Sequence, residues 1–230
     1  MTDKNTPVTF GTEDILRTLC NAVTHVLSVG TQSEVRYSGM VQRITKTGLK
    51  PDIGCFVLFD GGFSGLVVIN FSAAAAMELY ERYLLSMGMA KEELATSHTS
   101  DEVGNVMGEL MNQIVGDFTG KIARDLQTHI TQNQPKMVAL NKQVMLSVDA
   151  NLDQPEARRV TFFTGRNNIF YLELAMDRTE FIKMNEFEAS DAPDPDELLA
   201  QVVAGKNPAP AASTVADSND HDELLKSLGM

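Results

Sequence analysis

The chain has 230 residues, of which 43% are hydrophobic and 22% charged, with a formal net charge of −12. That length and apolar content suffice for one sizeable core and exclude disorder throughout, while so negative a balance argues against nucleic acid or an anionic membrane as the main partner. Cys20 and Cys55, the only two cysteines, lack metal or redox spacing and read as reduced core residues of a cytoplasmic protein.

Residues 1–11 are polar and carry no secretion signal. Residues 12–27 read as a first helix, with Glu13 and Asp14 in its first turn and Ile15, Leu16, Leu19, Val23 and Val26 along one side. His25 reads as a helix-face histidine, since no second ligand stands at helical spacing. Strands are expected at residues 34–45, 54–59 and 64–71, with Gly61 and Gly62 supplying positive φ for a hairpin turn between the last two. A phosphate-binding loop is excluded at these glycines, because no Gly-Lys-Ser/Thr follows and the next segment reads as strand; Gly120-Lys121 fails as well. The most apolar region, residues 65–77, is too short and interrupted to cross a bilayer. Residues 73–87 read as a second helix that stops at Gly88.

Residues 100–126 read as one long helix with two differently committed faces. Stepping about 100° per residue, Val103, Val106, Met107, Leu110, Met111, Ile114, Val115, Phe118 and Ile122 fall on one apolar arc that should meet a core. The opposite arc carries Glu102, Asn105, Glu109 and Asn112, two copies of Glu-x-x-Asn set seven residues apart. Each i, i+3 pair lies side by side, and the seven-residue step rotates the stripe by only about 20°. Gly104, Gly108, Gly116 and Gly120 interrupt the same helix, each at a cost of about 1 kcal/mol relative to Ala. Two explanations stand open: close packing of this helix on a neighbouring element, or the approach of another protein's backbone beside the polar strip. Ser97, His98 and Asp101 lie close in sequence, but a hydrolytic triad is assembled in space; N-capping of the helix accounts for Thr99, Ser100 and Asp101 together.

Residues 137–148 and 159–176 contain alternating and β-branched runs, with a turn at residues 164–168. The order of elements predicts an α+β two-layer domain over residues 1–185, with long helices on one face of a mostly antiparallel sheet. From residue 186 onward ten acids stand against Lys206 and Lys226, so this tail carries −8 of the −12. Residues 186–219 read as an acidic, Pro/Ala-containing linker with one short helix at Asp194-Pro-Asp-Glu197-Leu-Leu. Residues 220–230 read as a peptide motif in which Asp222 and Glu223 precede an apolar stripe of Leu224, Leu225 and Leu228. A helix this short does not hold in water by itself and should fold against something, its own domain or a partner's groove.

Two resemblances give these features a reading. Glu109-Leu-Met-Asn112-Gln-Ile114-Val-Gly116 resembles the active-site helix of the CheC and CheX chemotaxis phosphatases, and having both copies of the motif on one helix looks more like CheX. The resemblance implies a CheC/CheX-like domain in which Glu109 and Asn112 act on the aspartyl phosphate of a CheY-type receiver. Glu102 and Asn105 would be a second rung, Mg²⁺ would belong to the receiver, and the chain would need no cofactor of its own. That family usually has Asp or Ser four residues before the Glu, where this chain has Asn105. Asp222-Glu-Leu-Leu225-Lys-Ser-Leu-Gly-Met230 looks like the CheY-binding C-terminal peptide of the CheZ phosphatases and, less closely, the leucine-pair peptide of the flagellar switch protein FliM. A non-enzymatic adaptor for a receiver or switch protein is the alternative, and a homodimer stays open.

Overall fold

The computed structural model describes residues 9–140 and 142–182, all within the unit Met1–Met184. In chain order they form β1 (Thr9–Phe10), α1 (Thr12–Thr31), β2 (Arg36–Ile44), β3 (Gly48–Leu49), β4 (Ile53–Gly61), β5 (Gly65–Phe71), α2 (Ala73–Ser86), a 3-10 turn (Lys91–Glu93), α3 (Asp101–Leu126), β6 (Ile130–Gln132), β7 (Lys136–Ala139), β8 (Leu146–Ser147), β9 (Pro155–Phe163), β10 (Ile169–Asp177) and β11 (Phe181–Ile182).

The main sheet runs β2-β9-β10-β5-β4-β6, with β7 also paired to β4, and every pairing in it is antiparallel. The three described helices cover one face. Their inward residues, among them Leu19, Val23, Leu79, Met107, Ile114 and Phe118, join Val57, Ile69, Phe162 and Leu172 of the sheet in one core. The expected α+β architecture is therefore the one observed.

The reverse face carries a cover that the sequence pattern does not disclose. Residues 137–148 do not form one strand: β7 joins the main sheet, whereas β8 leaves it to pair with β3. A second, smaller cluster centred on Leu49, Leu66 and Val68 lies there, closed by Val148, Ala150 and Leu152. Burial on both faces explains why β5, Gly-Leu-Val-Val-Ile-Asn-Phe, is buried at every position instead of alternating. Under this cover Glu173, 0% exposed, is ion-paired to Lys50 at 2.9 Å and Arg159 at 2.8 Å and accepts the Gly48 amide at 3.1 Å. A buried carboxylate needs that full set of partners.

The β4–β5 turn uses its glycines differently from the expectation of two positive-φ positions. Gly61 alone has positive φ, at 152°. Gly62 is required for space, because a Cβ there would collide with the Thr128 side chain. The Ser64 hydroxyl, followed by the Gly61 amide, holds the Asp60 carboxyl below its ordinary range. At 164–168, Asn168 and Thr164 close the expected turn, and the buried Glu78 of α2 accepts from Thr164, Asn168 and the Arg166 amide.

The two sheet edges differ. β2 is a nine-residue edge strand with a register shift between Tyr37 and Val41 and with Met40 81% exposed. The other edge is split into β6 and β7. At the break the Asn133 amide donates to Leu58 O at 3.1 Å and its side chain accepts the Leu58 amide at 2.9 Å, while Pro135 contributes no amide hydrogen. None of the described helices is long and apolar enough to cross a membrane.

Candidate functional site

The site is one arc of α3. Ser100 caps this helix, its hydroxyl accepting the Val103 amide at 3.4 Å, and Gln127 ends it with φ 50°. Between those ends Val103, Met107, Leu110, Met111, Ile114, Val115, Phe118 and Ile122 are buried, with Val106 partly so. Glu102, Asn105, Glu109 and Asn112 are all exposed on the opposite arc, so the folded chain keeps the polar strip intact. At 1.5 Å per residue the four groups span about 15 Å.

Their bonding is uneven. Among the described residues, the side chains of Glu102, Asn105 and Asn112 engage in no hydrogen bond or ion pair. Glu109 Oε1 accepts from Gln113 Nε2 at 3.0 Å, and the same nitrogen donates to the Tyr83 hydroxyl of α2 at 3.3 Å. Gln113 lies inside the segment that drew attention to Glu109, and its i, i+4 spacing from Glu109 is a readable signal. The Tyr83 contact, thirty positions away, is not.

The glycines of α3 resolve the open question of packing. A Cβ on Gly104, Gly116 or Gly120 would meet nothing within 4 Å, and one on Gly108 would meet only Met137 Cγ at 3.5 Å, an ordinary contact. Close packing among the described residues therefore does not account for them. Gly116 follows Asn112 by one turn and Gly120 follows by another, so the strip of side chains passes into bare backbone along the same arc.

A cleft of about 380 Å³ flanks the strip at the start of α3. Asn105, Gly104 and Gly108 form one wall and Pro135, Met137 and Ala139 the other, with His98 and Asp101 at the helix end. Ser97, His98 and Asp101 are not joined by any hydrogen bond among the described residues: Ser97 Oγ pairs with Thr99 Oγ1 at 2.8 Å. His25 is exposed on α1, with Nδ1 4.0 Å from Asp117 of α3. Cys20 and Cys55 are free and buried, and burial pushes the Cys20 thiol up to about 12 and the Cys55 thiol higher still, so neither is a thiolate near neutrality. Asp222, Glu223, Leu224, Leu225 and Leu228, with the linker before them, lie outside the described residues.

What the arc can do follows from its groups. Two carboxylates offer charge to a cationic partner, two carboxamides can each donate and accept, and the outlying glycines let a second surface approach the backbone.

Known proteins place this arrangement in a fold. No curated protein matches the chain in sequence. Among solved structures, a putative chemotaxis protein from Desulfovibrio vulgaris Hildenborough is 15% identical with a TM-score of 0.59 over 71% of this chain and 97% of that one. The chemotaxis protein CheX from Desulfovibrio desulfuricans is 15% identical with a TM-score of 0.58 over 71% and 99%. A chain of the CheX–CheY–BeF3–Mg²⁺ complex from Borrelia burgdorferi is 15% identical with a TM-score of 0.54 over 72% and 99%. At that identity the likeness is one of fold, and the fold is CheX/CheC-like. By sequence, over residues 6–230, the chain belongs to the family described as protein of unknown function (DUF3334).

Proposed function

We propose that the protein binds the phosphorylated form of a CheY-type receiver domain and hydrolyses its aspartyl phosphate, as part of chemotaxis or related two-component signalling. The observation that carries the reading is the exposed Glu109–Asn112 pair, presented by the long helix of a CheX-like fold. One of the similar structures is itself a CheX–CheY complex.

The chemistry asks for little beyond placement. A water oxygen attacks phosphorus in line, the bond to the aspartyl oxygen breaks, and carboxylate and inorganic phosphate leave while the water's proton passes to solvent or phosphate. Asn112 orients the water through its carboxamide, which no other group among the described residues occupies. Glu109 pairs with a cationic lysine of the receiver and fixes the relative orientation. The Mg²⁺ of this reaction belongs to the receiver. Glu102 and Asn105 extend the contact as a second rung. The C-terminal peptide with Asp222, Glu223, Leu224, Leu225 and Leu228 captures the receiver, and the linker holds it near α3 at an effective concentration on the order of millimolar.

The decisive experiment follows decay of the phosphorylated receiver from the same cell in Mg²⁺, using the intact chain, Asn112→Ala and a chain ending at Asn219. Faster decay that is lost in Asn112→Ala and weakened without the tail supports a tethered phosphatase. A non-enzymatic adaptor is the second reading, favoured by Asn105 at the position where the resembling family carries Asp or Ser. Unaltered decay with tail-dependent binding selects the adaptor, for a receiver or a flagellar switch protein.

A further inference from the structure

The two Glu-x-x-Asn rungs share a helix and a face, yet the fold treats them differently. Gln113 Nε2 donates to Glu109 Oε1 at 3.0 Å and to the Tyr83 hydroxyl at 3.3 Å. A carboxamide nitrogen has two hydrogens, so both are committed. Tyr83 is 7% exposed, and its ring lies against α1 at Gly30, where a Cβ would come within 3.3 Å of a ring carbon. The brace thus runs from α1 through α2 to the site. An i, i+4 Gln–Glu pair is common on helix surfaces; a tyrosine hydroxyl fixing the amide from a second helix is not part of that pattern. Among the described residues the upper rung, Glu102 and Asn105, has no such support. Four residues after Glu102 stands Val106, whose side chain packs on the core and has no donor.

We propose that Gln113, anchored by Tyr83, is a positioning residue that presets the Glu109 carboxylate for a cationic partner group and makes Glu109–Asn112 the working rung. The inference rests on the receiver reading above. A free glutamate must give up its rotamers when it docks, whereas a braced one has given them up on folding, so docking loses less entropy. Glu109 Oε2 is left without a hydrogen bond among the described residues, available to the partner. Because the pairing with a receiver cation exists before and during phosphoryl transfer alike, losing the brace weakens binding and leaves the chemical step unaltered.

The test uses the full chain with Gln113→Leu, Tyr83→Phe, Glu109→Ala and the double variant Gln113→Leu/Glu109→Ala. In steady-state decay of the phosphorylated receiver, Gln113→Leu raises KM about tenfold and Tyr83→Phe about threefold, with kcat within about twofold of wild type. The double variant is no worse than Glu109→Ala, since Gln113 acts through that carboxylate. In the free protein, the ¹⁵N signals of the Gln113 side-chain amide stand apart from those of solvated amides and shift in both Glu109→Ala and Tyr83→Phe. A further loss in the double variant, or a change confined to kcat, overturns the positioning role. Solvent-like amide signals in the wild type show that no brace exists, even if the receiver reading stands. A wild type that neither binds the receiver nor speeds its decay removes the receiver reading, and the positioning role with it, whatever the amide signals show.

Discussion

The two arcs of α3 are built on opposite terms. On the inner arc every large side chain but the partly buried Val106 is buried in the core. On the outer arc three of four polar side chains have no partner among the described residues, and two glycines leave the backbone bare. On the proposed reading, the difference teaches that one 26-residue helix divides stability and recognition by face. Residues that hold the domain together are then not those proposed to meet a partner.

The strongest way to break this division is from the inner side. Phe118 is fully buried and stacks edge-on against Phe59 with ring centroids 5.6 Å apart. Phe118→Ala is expected to cost about 3–5 kcal/mol in denaturant unfolding, and a loss below about 1 kcal/mol would mean that the inner arc does not carry the core. Next comes Asn112→Ala, for which receiver dephosphorylation should fall about a hundredfold while stability stays within about 0.5 kcal/mol. An unfolding midpoint that drops together with activity would merge the two arcs.

Gly116→Ala and Gly120→Ala sharpen the comparison, because here the two functions should move in opposite directions. With nothing within 4 Å of either Cβ, each change should stabilise the free chain by about 0.5–1 kcal/mol. Each should also weaken receiver binding if the partner lies on that part of the backbone. Unchanged binding in both would confine the contact to the side-chain part of the strip. The smallest effect is expected of Glu102→Ala, because Glu102 has no brace among the described residues; the change should alter decay by less than about twofold. A tenfold loss there would make the upper rung the operative one.

How much of this could be read from the sequence depends on the range of the interactions. The helix at Asp101–Leu126, its buried set and its exposed strip follow from local periodicity, and the structure keeps them with Ser100 as the cap. The strands β4, β5, β9 and β10 are long enough to pattern clearly. The two-residue strands β1, β3, β8 and β11 carry no period at all, so the cover on the reverse face stayed hidden. Its sign was the apolar run Leu66-Val-Val-Ile69 of β5, consistent with burial on both sides. Within the site, the Glu–Asn spacing was legible because it is local. The Tyr83–Gln113 contact was not, since it depends on how α2 crosses α3.

The break at Asn133 and Pro135 bears on how any partner can engage this side of the molecule. Proteins that capture one another by adding a strand need a run of free amides and carbonyls in register along an edge. Beside the cleft and the strip that run is cut into three residues and four, with a proline between them and an asparagine turned back on β4. Such an edge gives little purchase for main-chain pairing. In the proposed receiver complex, recognition on this side would fall to the helix face, whose side chains can discriminate among partners that a bare backbone ladder would accept alike.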